Sequence, residues 1–182
     1  MSTDTIKTLA IGLISTPSRP QHHEALLTVA LRSAVAAYSA TQPRIIAEVR
    51  NVDGLPGTDE LGTYAEFQVP LSTGISYATL LTVEGEQYKY RVVYSDASSA
   101  GVRLYGAPAG PQALTIWRPV PHDPAVPTWP PHHEAIIALM TASFYLNALS
   151  LQEPDTPRAE MIQSLAAAYY GRAATTLQQI GA

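Results

Sequence analysis

The sequence predicts an α+β protein in which a helical core of about four helices is interrupted by an inserted antiparallel β-sandwich or small barrel. Apolar residues recur at intervals of three and four before residue 43, alternate with polar residues further on, and return to the helical interval near the C-terminus. These intervals are the periods of an α-helix and of a half-buried strand. The predicted organisation of the 182-residue chain is therefore residues 1–43 and 132–182 in the helical core, 44–118 in the β sub-domain, and 119–131 in a connecting strap.

Two helices are predicted before residue 43. Thr3 or Asp4 has a side chain suited to cap the first helix, and the second helix should run from about Gln21 to Ser39. The positions expected to face the core share the helical spacing: Ile6, Leu9, Ala10 and Leu13 in the first helix, and Leu27, Ala30, Leu31, Ala34, Val35 and Tyr38 in the second.

The middle of the chain has the period of a β-sheet. The segments expected to be strands, in chain order, are 64–69, 75–83, 88–94, 101–105 and 113–117. Glu84-Gly85-Glu86 should form a hairpin turn between the second and third of these segments. The last two segments are predicted to pair as another hairpin.

A proline-rich strap follows the predicted sheet. Six of the fifteen prolines lie between Pro119 and Pro131, which favours a stiff, extended connection. Proline is tolerated in the first turn of a helix, and Glu134 would place negative charge near the positive end of the helix dipole. The strap should therefore end where a third helix begins.

Two helices are predicted after the strap. The third should run from about Pro131 to Leu149, and it is apolar nearly all round, which indicates burial on more than one side. The fourth should run from Asp155 or Thr156 to about Gln179. Because Arg172 is its only charged residue after Glu160, we expect this helix to dock against another protein.

Composition limits the classes of function. Charged residues make up 14% of the chain, against about 25% in an average globular protein, so part of the surface should be covered by copies of the chain or by a partner. The net charge of −4 gives no basic footprint for wrapping nucleic acid. Cysteine is absent, which excludes disulfides and thiolate chemistry. No apolar segment is long enough to predict a membrane span or a clear signal peptide, so we expect no membrane partner and a cytoplasmic site of synthesis.

Acidic residues are concentrated between Asn51 and Tyr88, where lysine and arginine are absent. The six acids are Asp53, Asp59, Glu60, Glu66, Glu84 and Glu86. A solvated face explains such a run, and a surface that repels a polyanion such as DNA is the alternative.

The histidines offer the one candidate metal site. His22-His23-Glu24-Ala25 recurs as His132-His133-Glu134-Ala135, so two predicted helix starts could bring His22, His23, His132 and His133 together as metal ligands. Adjacent helical residues point about 100° apart, and the capping of helix starts explains the same residues. A nucleophile elbow and phosphate-binding motifs are both missing, so we predict that the protein is not an enzyme and has no cofactor. A sugar-binding face of tyrosines is a further alternative.

Most of the chain resembles a known family. The segments that carry the resemblance are Val102-Arg103-Leu104-Tyr105-Gly106-Ala107-Pro108, Leu114-Thr115-Ile116-Trp117, the proline-rich strap, Pro130-Pro131-His132-His133-Glu134-Ala135 and, earlier, Tyr64 to Pro70. Taken in their order along the chain, these segments are similar to segments of tailed-bacteriophage head-to-tail connector or adaptor proteins, the tail-tubular-A-like proteins that dock on the portal.

The resemblance implies a structural virion protein. It would form a homo-oligomeric ring, usually a dodecamer, between the portal and the tail or neck proteins, and DNA would pass through the ring without specific recognition. It would be found in the neck of the virion and, during assembly, in the host cytoplasm. The candidate portal-docking residues are Tyr169, Tyr170, Arg172, Leu177 and Ile180, and the six acids listed above are expected to face the channel or the tail. A metal-binding enzyme or metalloprotein that uses the paired His-His-Glu segments is the alternative.

Overall fold

The computed structural model describes residues 3–14, 22–94 and 98–180, and it has the α+β architecture that the sequence predicts. About 49% of the described residues are helical and 33% are in strands. The chain divides into two compact units, a helical unit made of Met1–Arg44 and Pro121–Ala182, and a β unit made of Ile45–Val120. The β unit is thus inserted between two parts of the helical unit.

Four α-helices form the helical unit within the described residues. They are α1 Thr3–Ile14, α2 His22–Thr41, α3 Glu134–Ser150 and α4 Thr156–Ile180, and a short 3-10 turn at Pro131–His133 leads into α3. Each lies close to its predicted position. Leu9, predicted to face the core on α1, instead has 44% of its surface exposed.

Helix α3 is the centre of the helical unit. It packs against α1, α2 and α4, and most of its residues are buried, as its apolar sequence predicts. The main core includes Ile6 of α1, Leu31, Ala34, Val35 and Tyr38 of α2, Ile136, Ile137, Leu139 and Met140 of α3, and Ala173 and Leu177 of α4. A buried Thr141 hydroxyl donates to the Ile137 carbonyl at 2.7 Å, so it needs no partner outside its own helix.

A seven-stranded antiparallel sheet forms the β unit in the part of the chain described. The strands are β1 Arg44–Asp59, β2 Gly62–Pro70, β3 Leu80–Val83, β4 Glu86–Gln87, β5 Lys89–Tyr94, β6 Ser99–Tyr105 and β7 Gly110–Val120. Their order across the sheet is β4-β3-β7-β1-β2-β6-β5. Ala65, Phe67 and Val69 of β2 are buried, which confirms the predicted alternation.

The sheet curls into a half-barrel. The two strands at the ends of the strand order, β4 and β5, are separated by only one residue in the chain, so the two ends of the sheet must lie close together. β4 pairs with β3, whereas β5, only one residue further along the chain, pairs with β6. Glu84 and Gly85 have φ values of 52° and 84°, which are those of a two-residue type I′ turn between β3 and β4. The predicted turn at residues 84–86 is therefore confirmed. The segment 88–94, predicted as its return strand, does not pair with the strand before the turn, because β5 pairs with β6 and only Glu86–Gln87 pair back on β3.

Two further predictions about the sheet were wrong. β6 and β7 do not form a hairpin, because β6 is paired on its two edges with β2 and β5, and β7 lies between β3 and β1. The segment Ile75–Tyr77 is a 3-10 turn rather than the start of a strand. It follows Gly74, whose φ of 69° breaks the extended backbone, so the strand begins only at Leu80.

Among the described residues, no helix combines the length and apolar character needed to cross a membrane.

Candidate functional site

A cluster of aromatic and histidine side chains joins the strap to the helices. The Tyr38 ring lies 5.3 Å from the His122 ring and 5.7 Å from the His133 ring, and the Trp129 ring lies 6.1 Å from that of His122. All four side chains are buried. The strap is thus packed onto the helical unit at this cluster, as the prediction of an ordered strap requires.

Both ring nitrogens of His122 have hydrogen-bond partners. Its Nε2 lies 2.9 Å from the Gln42 carbonyl, which can only accept, so Nε2 carries the proton. Its Nδ1 and the Thr128 hydroxyl are hydrogen-bonded at 2.7 Å, and its backbone N–H donates to the Ser39 hydroxyl oxygen at 2.9 Å. The hydrogen bonds of His122 therefore hold the strap against the C-terminal end of α2.

Only one of the two ring nitrogens of His133 has a hydrogen-bond partner. Its Nδ1 and the Tyr38 hydroxyl are 2.5 Å apart, while its Nε2 is buried without a hydrogen-bond partner. Burial, followed by the nearby His132 and His122, lowers the pKa of His133, and burial raises the pKa of Tyr38. Both shifts favour a neutral pair in the core.

The structure does not assemble a histidine metal site from the residues that it describes. His132 and His133 have rings 4.3 Å apart, but no group of three or more potential ligand side chains occurs in the described part of the chain. The side chains of His22 and His23 lie outside it. The Nδ1 of His133 is already engaged by Tyr38, which leaves only Nε2 for any further ligand.

Two of the six acids are paired with a base that the sequence pattern did not reveal. Arg103 on β6 lies opposite Glu66 on β2, and its Nε donates to Glu66 Oε2 at 2.8 Å. Its Nη1 lies 3.3 Å from Asp59 Oδ2, which also accepts from the Tyr105 hydroxyl at 3.0 Å. Asp59 and Glu66 therefore belong to a cross-strand network within the β unit, and their position facing a channel or a tail stays a prediction.

The same network perturbs the pKa of Asp59. Desolvation raises this pKa, but the Leu61 N–H, the Tyr105 hydroxyl and the Arg103 charge outweigh that effect and lower it overall. The guanidinium of Arg103 also lies over a tyrosine ring, 4.6 Å from the centroid of Tyr64. The cluster fixes the end of the β1–β2 hairpin.

The other four acids remain on the surface. Asp53, Glu60, Glu84 and Glu86 are exposed, and none forms an ion pair with the residues described. Asp53 and Glu84 line one niche of about 420 Å³ at the end of the sheet. The Tyr88 hydroxyl donates to Glu86 at 2.8 Å. No basic side chain among the described residues therefore offsets the charge of these four acids.

The predicted portal-docking residues divide between core and surface. Leu177 is buried in the main core, and Tyr169 is partly buried, with its hydroxyl donating to the Leu13 carbonyl at 2.6 Å. Tyr170, Arg172 and Ile180 are exposed. The predicted set is therefore revised, because Tyr169 and Leu177 hold α4 to its own unit.

Grooves flank α4 on both sides. Tyr170 and Leu177 line a groove of about 360 Å³ together with residues of α2 and α3. Tyr170 also borders a larger open groove of about 910 Å³ between α3 and α4. Arg172 lines a third groove, of about 400 Å³, with residues of α1 and α3. Tyr170 and Arg172 thus face different grooves.

Sequence reasoning missed Arg103 and the β1–β2 hairpin tip. Arg103 is far along the chain from the acids, so only strand pairing brings them together. The hairpin had a usable signal, because Asp59-Glu60-Leu61-Gly62 separates two extended segments and ends in a glycine with a φ of 123°.

No protein-family model matches the chain, and no curated protein matches it significantly. The function must therefore be inferred from the residues and geometry of the chain itself.

Proposed function

We propose that the chain is a structural virion protein, a head-to-tail adaptor that assembles as a homo-oligomeric ring between a portal and a tail and lets DNA pass through its centre. The order of motifs that resembles the connector family supports this proposal. So does the insertion of a β unit into a helical unit, which is the architecture that the resemblance implies. The ring is proposed to be a dodecamer.

The surface of α4 is the observation that carries the proposal. This helix has 25 residues, but only Ala166, Ala173 and Leu177 are buried. Large apolar side chains remain exposed along it: Met161 at 66%, Leu165 at 42%, Tyr170 at 43% and Ile180 at 44%. After Glu160 its only charge is Arg172. A helix with so much exposed apolar surface and so little charge is typical of one that is covered by another protein.

The two units provide the two kinds of surface that a ring needs. A ring is built by heterologous contacts, in which one face of a subunit meets a different face of the next. We assign the exposed part of α4, represented by Tyr170 and Ile180, to portal docking. We assign the unpaired acids Asp53, Glu84 and Glu86 to the channel or the tail side, where they would repel passing DNA.

The mass of the purified protein in solution, measured by light scattering with and without a portal ring, tests the proposal. We expect a large ring, either alone or only in the presence of the portal. A monomer that ignores the portal under all conditions would overturn the proposal. Elemental analysis of the same sample tests the metalloprotein alternative, which requires stoichiometric metal.

Point substitutions test the docking face without removing core residues. Tyr170→Asp and Ile180→Asp each put a charge on the exposed surface of α4 and should weaken portal binding by about tenfold or more. Leu151→Asp is the matched control, because Leu151 is 84% exposed at the turn after α3. Unchanged portal binding by both α4 variants would contradict the assignment of this face.

A further inference from the structure

The tip of the β1–β2 hairpin presents an apolar side chain next to an acid. Leu61 is 63% exposed and Glu60 is exposed beside it. The turn is ordered by Asp59, whose Oδ1 accepts the Leu61 N–H at 2.9 Å. Asp59 is itself held by Arg103 and Tyr105. The tip is therefore a pre-organised projection, which lowers the entropy cost of inserting it into a partner.

The groove between α1, α3 and α4 has complementary features. Its volume is about 400 Å³, and most of its lining is apolar, including Leu9, Leu13 and Leu139. This size is at the lower end of the range of about 300–1,000 Å³ for sites that bury small ligands. Arg172 lines the same groove, is exposed, and forms no ion pair with a described residue.

We propose that the hairpin tip of one copy of this chain, Glu60-Leu61, inserts into the groove between α1, α3 and α4 of the next copy. Leu61 fills the apolar part of the groove, and Glu60 pairs with Arg172. This proposal rests on the proposed ring, because it names the contact that joins neighbouring subunits. It also moves Glu60 and Arg172 from the channel and portal surfaces to the boundary between subunits.

Charge selects a second copy as the occupant. The groove carries one unpaired cation, and the tip carries one unpaired anion directly next to an exposed leucine. An acid and a base that both lack partners in one copy can satisfy each other between two copies. Because the tip and the groove are different surfaces, the contact can repeat from one copy to the next, and it closes into a ring when the rotation between copies divides a full turn.

Gly12 allows the groove to be blocked without disturbing the helix. It lines the groove, and a Cβ atom added to it would meet no atom within 4 Å. Gly12→Leu therefore occupies the space intended for Leu61 and also favours helix, since leucine has a higher helix propensity than glycine. Gly12→Ala is the matched control, because its single methyl group also favours helix but leaves most of the groove open.

The first experiment measures the protein concentration at which half of the chain is in rings, by light scattering, with portal present if the wild type requires it. Gly12→Leu and Leu61→Asp should each raise this concentration by about tenfold or more. Gly12→Ala and Leu55→Asp should leave it within about twofold, since Leu55 is equally exposed, at 61%, but lies on β1 away from the tip. Circular dichroism of each variant checks that the fold is kept.

A charge exchange provides a second, independent measurement. Glu60→Arg and Arg172→Glu should each weaken ring assembly, and the double variant should recover at least part of the loss because the pair is restored with reversed sign. Recovery in the double variant supports the contact.

The possible failures are distinguishable. If wild-type rings form and all of these variants assemble like the wild type, the contact is overturned and the adaptor proposal stands. If the double variant is as defective as the sum of the single variants, the pairing of Glu60 with Arg172 is overturned. If no ring forms with or without the portal, both the contact and the adaptor proposal fail.

Discussion

Replacing Tyr38 by phenylalanine removes one hydroxyl group from the interior of the helical unit. That hydroxyl lies 2.5 Å from His133 Nδ1, and His133 Nε2 already lacks a partner. Tyr38 is 1% exposed and His133 is 5% exposed, so water cannot readily replace the lost partner. The substitution therefore leaves a buried imidazole with neither nitrogen hydrogen-bonded.

The expected cost follows from what remains after the change. A buried polar group left without its hydrogen bond costs about 1–3 kcal/mol, more than the roughly 1 kcal/mol net value of an ordinary hydrogen bond. The change of shape is small, because phenylalanine keeps the ring. For a chain of this size, each 1 kcal/mol lowers the melting temperature by about 2–4 °C. Tyr38→Phe should therefore lower it by about 2–12 °C.

The two tryptophans make the measurement specific to the helical unit. Trp129 lies within the affected cluster, whereas Trp117 is on β7 in the β unit. In a Trp117→Phe background, the fluorescence of Trp129 reports unfolding of the helical unit alone. Denaturant titrations of this background with and without Tyr38→Phe give the difference in the free energy of unfolding.

A double-mutant cycle tests whether the hydrogen bond between Tyr38 and His133 is the cause of the expected destabilisation. His133→Leu alone leaves the Tyr38 hydroxyl buried without this partner, so it should also destabilise the helical unit. Tyr38→Phe combined with His133→Leu removes both polar groups and should cost less than the sum of the single changes. If Tyr38→Phe costs less than about 0.5 kcal/mol and the two changes are additive, the hydrogen bond does not have the assigned role.

Three further predictions concern pH, the Arg103 network and α4. Burial first, and then His132 and His122, lowers the pKa of His133 below its ordinary 6.5. Its contribution to stability is therefore complete above pH 6.5 and decreases as the pH falls towards the folded-state pKa, because the unfolded state takes up the proton first. Trp129 fluorescence in denaturant between pH 7.5 and 5 measures this decrease, and a flat profile in His133→Leu is the control. Arg103→Met should lower the melting temperature of the β unit, and the difference from the wild type should shrink at 1 M salt as screening weakens its ion pairs; a difference independent of salt would contradict an electrostatic role. Gly171→Ala should stabilise α4 by about 0.5–1 kcal/mol, because the added Cβ meets no atom within 4 Å and alanine favours helix, and a loss of stability in thermal denaturation would refute this.

Helix α3 shows how much the sequence determined. Its residues are apolar nearly all round, and a helix with this composition must be buried on several sides, so its central position followed directly from the sequence. The Glu84-Gly85 turn also followed from the sequence, because turn residues stand between two alternating segments, but the partner of the second segment did not, since β5 pairs with β6. Local conformation and burial can be predicted because they depend mainly on residues that are close together in the sequence.

Strand partners and side-chain pairs required the tertiary structure. β6 and β7 are consecutive in sequence and each has the pattern of a strand, but nothing local to either shows that β6 pairs with β2 and β5 instead. The acidic run appeared to lack bases until pairing of β2 with β6 placed Arg103 opposite Glu66. On α4 the periodicity identified an apolar helix, while the packing of α3 decided that Leu177 is buried and Tyr170 is exposed. These outcomes depend on contacts between residues far apart in the chain, and such contacts leave no periodic signal in the sequence.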